Sequence, residues 1–120
     1  MARFRAKNFV SPHAKKRIKQ RYEGNKGEYE LSKNALHFGV IPRQLPAGSP
    51  LRGFMEDKKC VADKRVKLLN GYIFIFSKSK RLITMYQVPE EYQEEAKAYL
   101  AIQSANRERY REAKEKRKVQ

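Results

Sequence analysis

Asn70-Gly71 sits between Arg65-Val66-Lys67-Leu68-Leu69 and Tyr72-Ile73-Phe74-Ile75-Phe76. Both turn residues accept positive φ, which makes the pair the strongest short signal for a two-residue β-hairpin. The second arm is apolar on both faces, the pattern of a central strand covered on each side. Ser77-Lys78-Ser79-Lys80 supplies a second turn, and 81–88 reads as a third strand. With the first strand beginning as early as Val61, the segment predicts an antiparallel meander of three or more strands. In the third strand Leu82, Thr84 and Tyr86 are expected to share one face, while Ile83, Met85 and Val88 do not alternate cleanly. The Thr84 and Tyr86 hydroxyls then point toward whichever helix covers that face, although both residues are also ordinary strand formers.

The segments before and after the meander are helical. Ser11 is a good N-cap and Pro12 suits the first helical position, so a helix is expected from Pro12 to about Tyr22. His13, Arg17 and Arg21 recur along one face of it. Ala14, Ile18 and Tyr22 form a stripe about 100° away that can pack on a core. An imidazole flanked by two guanidiniums suits a phosphate. Gly24, Asn25 and Gly27 end this helix. A second is expected over 28–38, from the spacing of Leu31, Ala35 and Phe38. Gly39 follows at the position that favours a left-handed residue, and His37 lies in the last turn, where an imidazolium meets the negative end of the dipole. Residues 40–58 hold three of the five prolines and two glycines, and are expected to form a long loop. Arg43 and Arg52 there are either phosphate contacts or solvated charge. Pro89 opens a last helix with Glu90, Glu91, Glu94 and Glu95 near its start and a stripe of Tyr92, Ala96, Tyr99 and Leu100. Beyond Ala101 the stripe thins, and from Asn106 the chain is either a projecting solvated helix or a frayed tail. The expected class is α+β: N-terminal helices on an antiparallel meander, with a C-terminal helix. One domain covers 1–100, including a basic N-terminal arm, and 101–120 form a charged extension.

Charge narrows the partner. The net charge of +15 is the footprint of a protein that meets nucleic acid. Residues 1–26 carry +8, residues 90–100 carry −3 and residues 101–120 carry +4. The arm and first helix, through Arg3, Arg5, Lys16 and Arg21, are therefore the expected contact region. Cys60 is the single cysteine, which excludes an internal disulfide and a cysteine metal cluster. With two histidines, a structural zinc site is not expected either. The N-terminal MARFRAKNF lacks the apolar stretch of a secretory signal, and Tyr72 to Phe76 is too short to span a bilayer. A reducing cytoplasm is the expected compartment, with no membrane partner.

His13-Ala14-Lys15-Lys16-Arg17 with Arg21, followed far downstream by Thr84-Met85-Tyr86 before Val88-Pro89, resembles a pattern of the barnase–EndoU–colicin–RelE superfamily of metal-independent ribonuclease-like proteins. The likeness is to its short phage and mobile-element branch and covers about residues 9–89. The 40–58 segment and the basic tail depart from that compact pattern. The resemblance implies attack of a ribose 2′-hydroxyl on the adjacent phosphorus, loss of the 5′-oxygen and a 2′,3′-cyclic phosphate, with no cofactor. His13 would be the acid/base, since histidine titrates near neutrality. Arg17 and Arg21 would hold the phosphate with forked donors. Thr84 and Tyr86 would orient it, and Lys67 is a further candidate for the same cluster. Read from the helix alone, His13 is a solvent-facing residue of the first turn.

Three functions follow. One is a small RNA-cleaving enzyme, toxin-like, which implies a cognate inhibitor protein. Another is a non-catalytic nucleic-acid-binding accessory protein of a phage or mobile element. The third is a ribosome-associated basic protein. A helix-turn-helix DNA binder is disfavoured, because a long segment follows the second helix.

Overall fold

A computed structural model describes residues 9–59 and 64–119. The expected α+β class is found. Helix α1 spans Pro12–Arg21 and α2 spans Glu28–Phe38, each within a residue of its expected bounds. Strands β1 (Arg65–Leu69), β2 (Tyr72–Phe76) and β3 (Leu82–Gln87) form one antiparallel sheet in the order β1-β2-β3. Asn70 and Gly71 adopt φ of 50° and 83°, as a two-residue hairpin turn requires. The expected start of the first strand near Val61 lies outside the described residues, as do Arg3, Arg5 and Cys60.

Helices cover both faces of the sheet. Pairing of Lys67 with Phe74 and of Phe74 with Met85 puts Leu69, Phe74, Phe76 and Met85 on one face. There they pack with Ala14 and Ile18 of α1 and Leu31 and Ala35 of α2. The opposite face carries Val66, Leu68 and Ile73, packed with Leu51, Met55, Val88 and Ala96. The central strand is thus covered on each side, as its unbroken apolar run requires. A shift of register between Ile75 and Phe76 leaves Ile83 unpaired and brings Leu82 opposite Phe76. Leu82 therefore joins the α1 face, whereas Thr84 and Tyr86, opposite Ile75 and Ile73, lie on the other. The expectation that all three share a face fails because the bulge inserts one residue into the alternation.

The segment 40–58 is not a continuous loop. Pro42–Gln44 form a 3₁₀ turn, and Pro50–Lys59 form helix α3. Ser49-Pro50 repeats the capping chemistry of Ser11-Pro12: Ser49 Oγ accepts from the Arg52 amide at 3.0 Å, as Ser11 Oγ accepts from Ala14 at 3.0 Å. Proline at a first helical position starts a helix rather than breaking it. Glu95 reinforces the start by accepting from the Leu51 amide at 3.0 Å and from Ser49 Oγ.

After β3, Pro89 precedes a 3₁₀ turn over Glu90–Tyr92, helix α4 follows over Gln93–Ala98, and α5 runs over Leu100–Val119. The expected single helix is broken at Tyr99, whose φ and ψ of −98° and 7° are not helical. Beyond Asn106 the chain stays helical. Asn106 ties α5 to the body by donating to Gln44 Oε1 at 3.0 Å and to the Phe38 and Gly39 carbonyls at 3.4 Å. Past Tyr110 the helix is exposed through residue 117.

Gly39 is not left-handed: its φ is −62° and ψ 151°. It is needed instead for close approach. A Cβ there would stand 2.4 Å from the Ala35 carbonyl oxygen and 2.9 Å from Lys67 Cβ, inside van der Waals contact. The next residue, Val40, exchanges two 2.8 Å backbone hydrogen bonds with Leu68. The end of α2 is thereby pinned to the edge of β1.

Candidate nucleic-acid interface

The residues singled out in the sequence fall in two separate places. Ser11 fastens the start of α1 to β3: its amide donates to Leu82 O at 2.9 Å and its hydroxyl to Ile83 O at 3.0 Å. From that start His13 faces solvent, and Arg17 Nε donates to His13 Nε2 at 3.3 Å. Lys16 and Arg21 are exposed on the same helix. The expected imidazole–guanidinium pair therefore exists between His13 and Arg17. Thr84 and Tyr86 do not meet it. They lie on the face that α3 and α4 cover, while α1 covers the other through Ala14 and Ile18. The Tyr86 ring stands edge-on to Phe54 at 6.4 Å, and Lys58 Nζ lies 5.9 Å from its centroid. Its hydroxyl is buried with no hydrogen-bond partner among the described residues. Burial pushes that phenol up to about 12. The sheet separates the two halves of the expected constellation. Period-two alternation says which strand residues share a face, but not which helix covers it.

Lys67 belongs to a different cluster. With Arg65 it lies on the face of β1 that α2 covers, beside Leu69. Tyr29, Lys33 and His37 succeed one another every four residues along α2 and so point the same way. The β2–β3 turn brings Ser79 and Lys80 to the same place. Together with Phe9 and Leu36 these residues line a cleft of about 550 Å³. It holds Lys33, His37, Arg65, Lys67 and Lys80, and no aspartate or glutamate is among the described residues that line it. Of the acids on neighbouring elements, Glu30 pairs with Lys26 and Glu56 with Arg52, at 3.3 Å each. Arg65 and Lys67 also border a second recess of about 370 Å³ with Arg43 and Glu56. Arg43 is thus close to the cluster, whereas Arg52 is committed to Glu56 and to the Leu45 carbonyl at 3.0 Å.

Burial and then crowding of like charge disfavour the charged forms of two groups in the cleft. Burial, and then the charge of Arg65, hold the Lys67 ammonium below its ordinary range. Burial also lowers His37, and Lys33, Lys67, Lys80 and Lys114 lower it further. The dipole of α2 favours an imidazolium in its last turn, but desolvation and surrounding cations outweigh it. The His37 ring instead stacks on Tyr110 of α5, with centroids 4.6 Å apart and planes 16° from parallel.

Lys80 is in the left-handed region, at φ 70°. A non-glycine residue there carries backbone strain, so the turn spends conformational stability to place a lysine at the cleft.

Sequence reasoning missed Lys33, Arg65, Lys80 and Lys114, and gave His37 only a capping role. The i, i+4, i+8 spacing of Tyr29, Lys33 and His37 was the available signal. Nothing in the sequence connects that face with the β2–β3 turn or with α5. Among the described residues no group of three or more His, Cys, Asp or Glu is placed to hold a metal ion. No described helix is long and apolar enough to cross a membrane. Comparison with protein-family models, curated sequences and solved structures yields no match.

Proposed function

We propose that this protein binds RNA through the phosphate backbone, using the cleft between α2, β1 and the β2–β3 turn, and that it does so without cleaving the strand. One observation carries the reading: Lys33, Arg65, Lys67 and Lys80 converge on one concavity with no carboxylate among the described residues that line it. Four cations held so close repel one another, and a polyanion relieves that repulsion while releasing its own counterions. The net charge of +15 supplies attraction at longer range. Catalysis in the manner of the barnase–EndoU–colicin–RelE superfamily draws support only from the His13–Arg17 pair, since Thr84 and Tyr86 lie across the sheet from it.

The test is binding of a labelled RNA oligonucleotide as salt is raised. Four phosphate contacts give a slope of log affinity against log salt near −3 to −4, or roughly a hundredfold loss between about 50 and 200 mM. A Lys33→Gln/Lys67→Gln double variant is expected to flatten the slope by about 1.5. Absence of binding at low salt, or a double variant that binds as the parent does, would overturn the assignment. Incubation with RNA in EDTA is expected to leave the strand intact. Cyclic-phosphate ends that disappear in His13→Ala would instead establish the nuclease, and with it a reason to seek an inhibitor protein.

A further inference from the structure

His37 differs from the other basic groups of the cleft in that an imidazole changes charge near neutral pH. Among the described residues, α2, β1, the β2–β3 turn and α5 each bring a basic group toward it. Lys33 stands one turn before it on α2, Lys67 and Arg65 come from β1, Lys80 from the β2–β3 turn, and Lys114 from α5. On the α5 side the ring rests on Tyr110, which fixes its plane and sets its position in the cleft wall. No carboxylate faces it among the described residues lining the cleft. Lys114 lies one turn beyond Tyr110 on the same helix, so α5 contributes to the cluster that α2 and β1 begin.

From this arrangement we infer that His37 is a phosphate ligand of the cleft and that a phosphodiester group among the lysines favours its protonated form, so that RNA binding is coupled to proton uptake. The inference rests on the reading of the cleft as an RNA site. A phosphodiester carries its negative charge throughout the physiological range, so its arrival offsets the lysine repulsion that, after burial, disfavours the imidazolium. The imidazolium then adds a charge-assisted N–H to the phosphate oxygens. The sign follows from linkage. In the free protein burial, and then the lysines, lower His37, whereas in the complex the phosphate raises it. The added affinity is complete below the free-protein value and is lost as pH rises through the value in the complex.

The chain has two histidines, so His13→Asn leaves His37 as the only imidazole and simplifies both readouts. In that background, affinity for a 5′-hydroxyl RNA oligonucleotide, which presents phosphodiesters alone, is measured at constant salt between about pH 5.5 and 7.5. Affinity should strengthen on acidification by up to roughly tenfold per pH unit at the steepest point. Adding His37→Gln should remove that dependence and leave the salt-sensitive part of binding. Because the Tyr110 stack also supports the fold, a second measurement keeps native His37: its imidazole proton resonance is titrated with and without the oligonucleotide. The midpoint should move to higher pH when RNA is present. A midpoint that stays put or falls, or a pH dependence unchanged by His37→Gln, overturns the inference while leaving the RNA-binding assignment intact. No binding at any pH overturns that assignment itself.

Discussion

Replacing Lys80 with glycine is expected to raise the stability of the fold and weaken RNA binding at the same time. Lys80 adopts φ 70°, where a side chain costs roughly 1–2 kcal/mol that glycine does not incur. Glycine returns about 0.4–1 kcal/mol of this through its greater freedom in the unfolded chain. The net gain is about 0.5–1 kcal/mol, or roughly 2–5 °C in melting temperature for a chain of this size. The turn does not depend on the lysine side chain. Lys80 N donates to Ser77 O at 2.9 Å and Ser77 N to Arg81 O at 2.8 Å, and both bonds persist in the variant. The cleft, however, loses one of the four Lys/Arg cations among its described lining residues. One fewer phosphate contact reduces the salt slope by about 0.7–0.9 and costs roughly fivefold in affinity near 0.1 M salt. Thermal melting followed by circular dichroism and fluorescence anisotropy with a labelled oligonucleotide read the two effects separately. A lowered melting temperature would refute the strain argument. An unchanged salt slope would remove Lys80 from the interface.

Three further perturbations test other parts of the structure. Gly39→Ala forces a methyl against the Ala35 carbonyl and the Lys67 stem, and should destabilise by about 1–3 kcal/mol in urea unfolding, as overpacking does. Tyr86→Phe removes a buried hydroxyl that has no partner among the described residues. Stability should be unchanged or rise by up to about 1 kcal/mol, and RNA affinity should not move; a large loss of binding would place Tyr86 in the site after all. Asn106→Ala deletes the donors to Gln44 and to the Phe38 and Gly39 carbonyls, and should cost about 1–3 kcal/mol. Hydrogen exchange should then show α5 opening before the sheet, an order that would be absent if Tyr110 alone held the helix.

The local elements were legible because each was written in adjacent residues. Asn70-Gly71 between two strand-forming runs determined the hairpin, and the unbroken apolar pattern of Tyr72 to Phe76 determined that β2 would be central. Ser11-Pro12 set the start of α1. The same chemistry at Ser49-Pro50 was equally readable, but the density of prolines before it suggested a loop. Gly39 was recognised as special for the wrong reason. A glycine after a helix usually relieves a left-handed cap, whereas here it admits Lys67 against the end of α2. That contact joins residues 28 positions apart, and no local pattern announces it.

Tertiary structure decided the candidate site. Periodicity placed His13 with Arg17, and Thr84 with Tyr86, within their own elements, but it is silent on which side of the sheet each helix takes. Packing of Ala14 and Ile18 against Leu82 and Met85 put α1 on one side and left the two hydroxyls on the other. The bulge at Ile83, a single unpaired residue, changed the face of Leu82 in the same strand. The basic cleft draws on α2, β1 and a turn, with α5 beside it, so its charge density is invisible in any window of the chain. Sequence patterns report the face a side chain occupies on its own helix or strand, while electrostatic sites arise where faces of different elements meet. That meeting is governed by the burial of apolar surface, which has no memory of sequence distance.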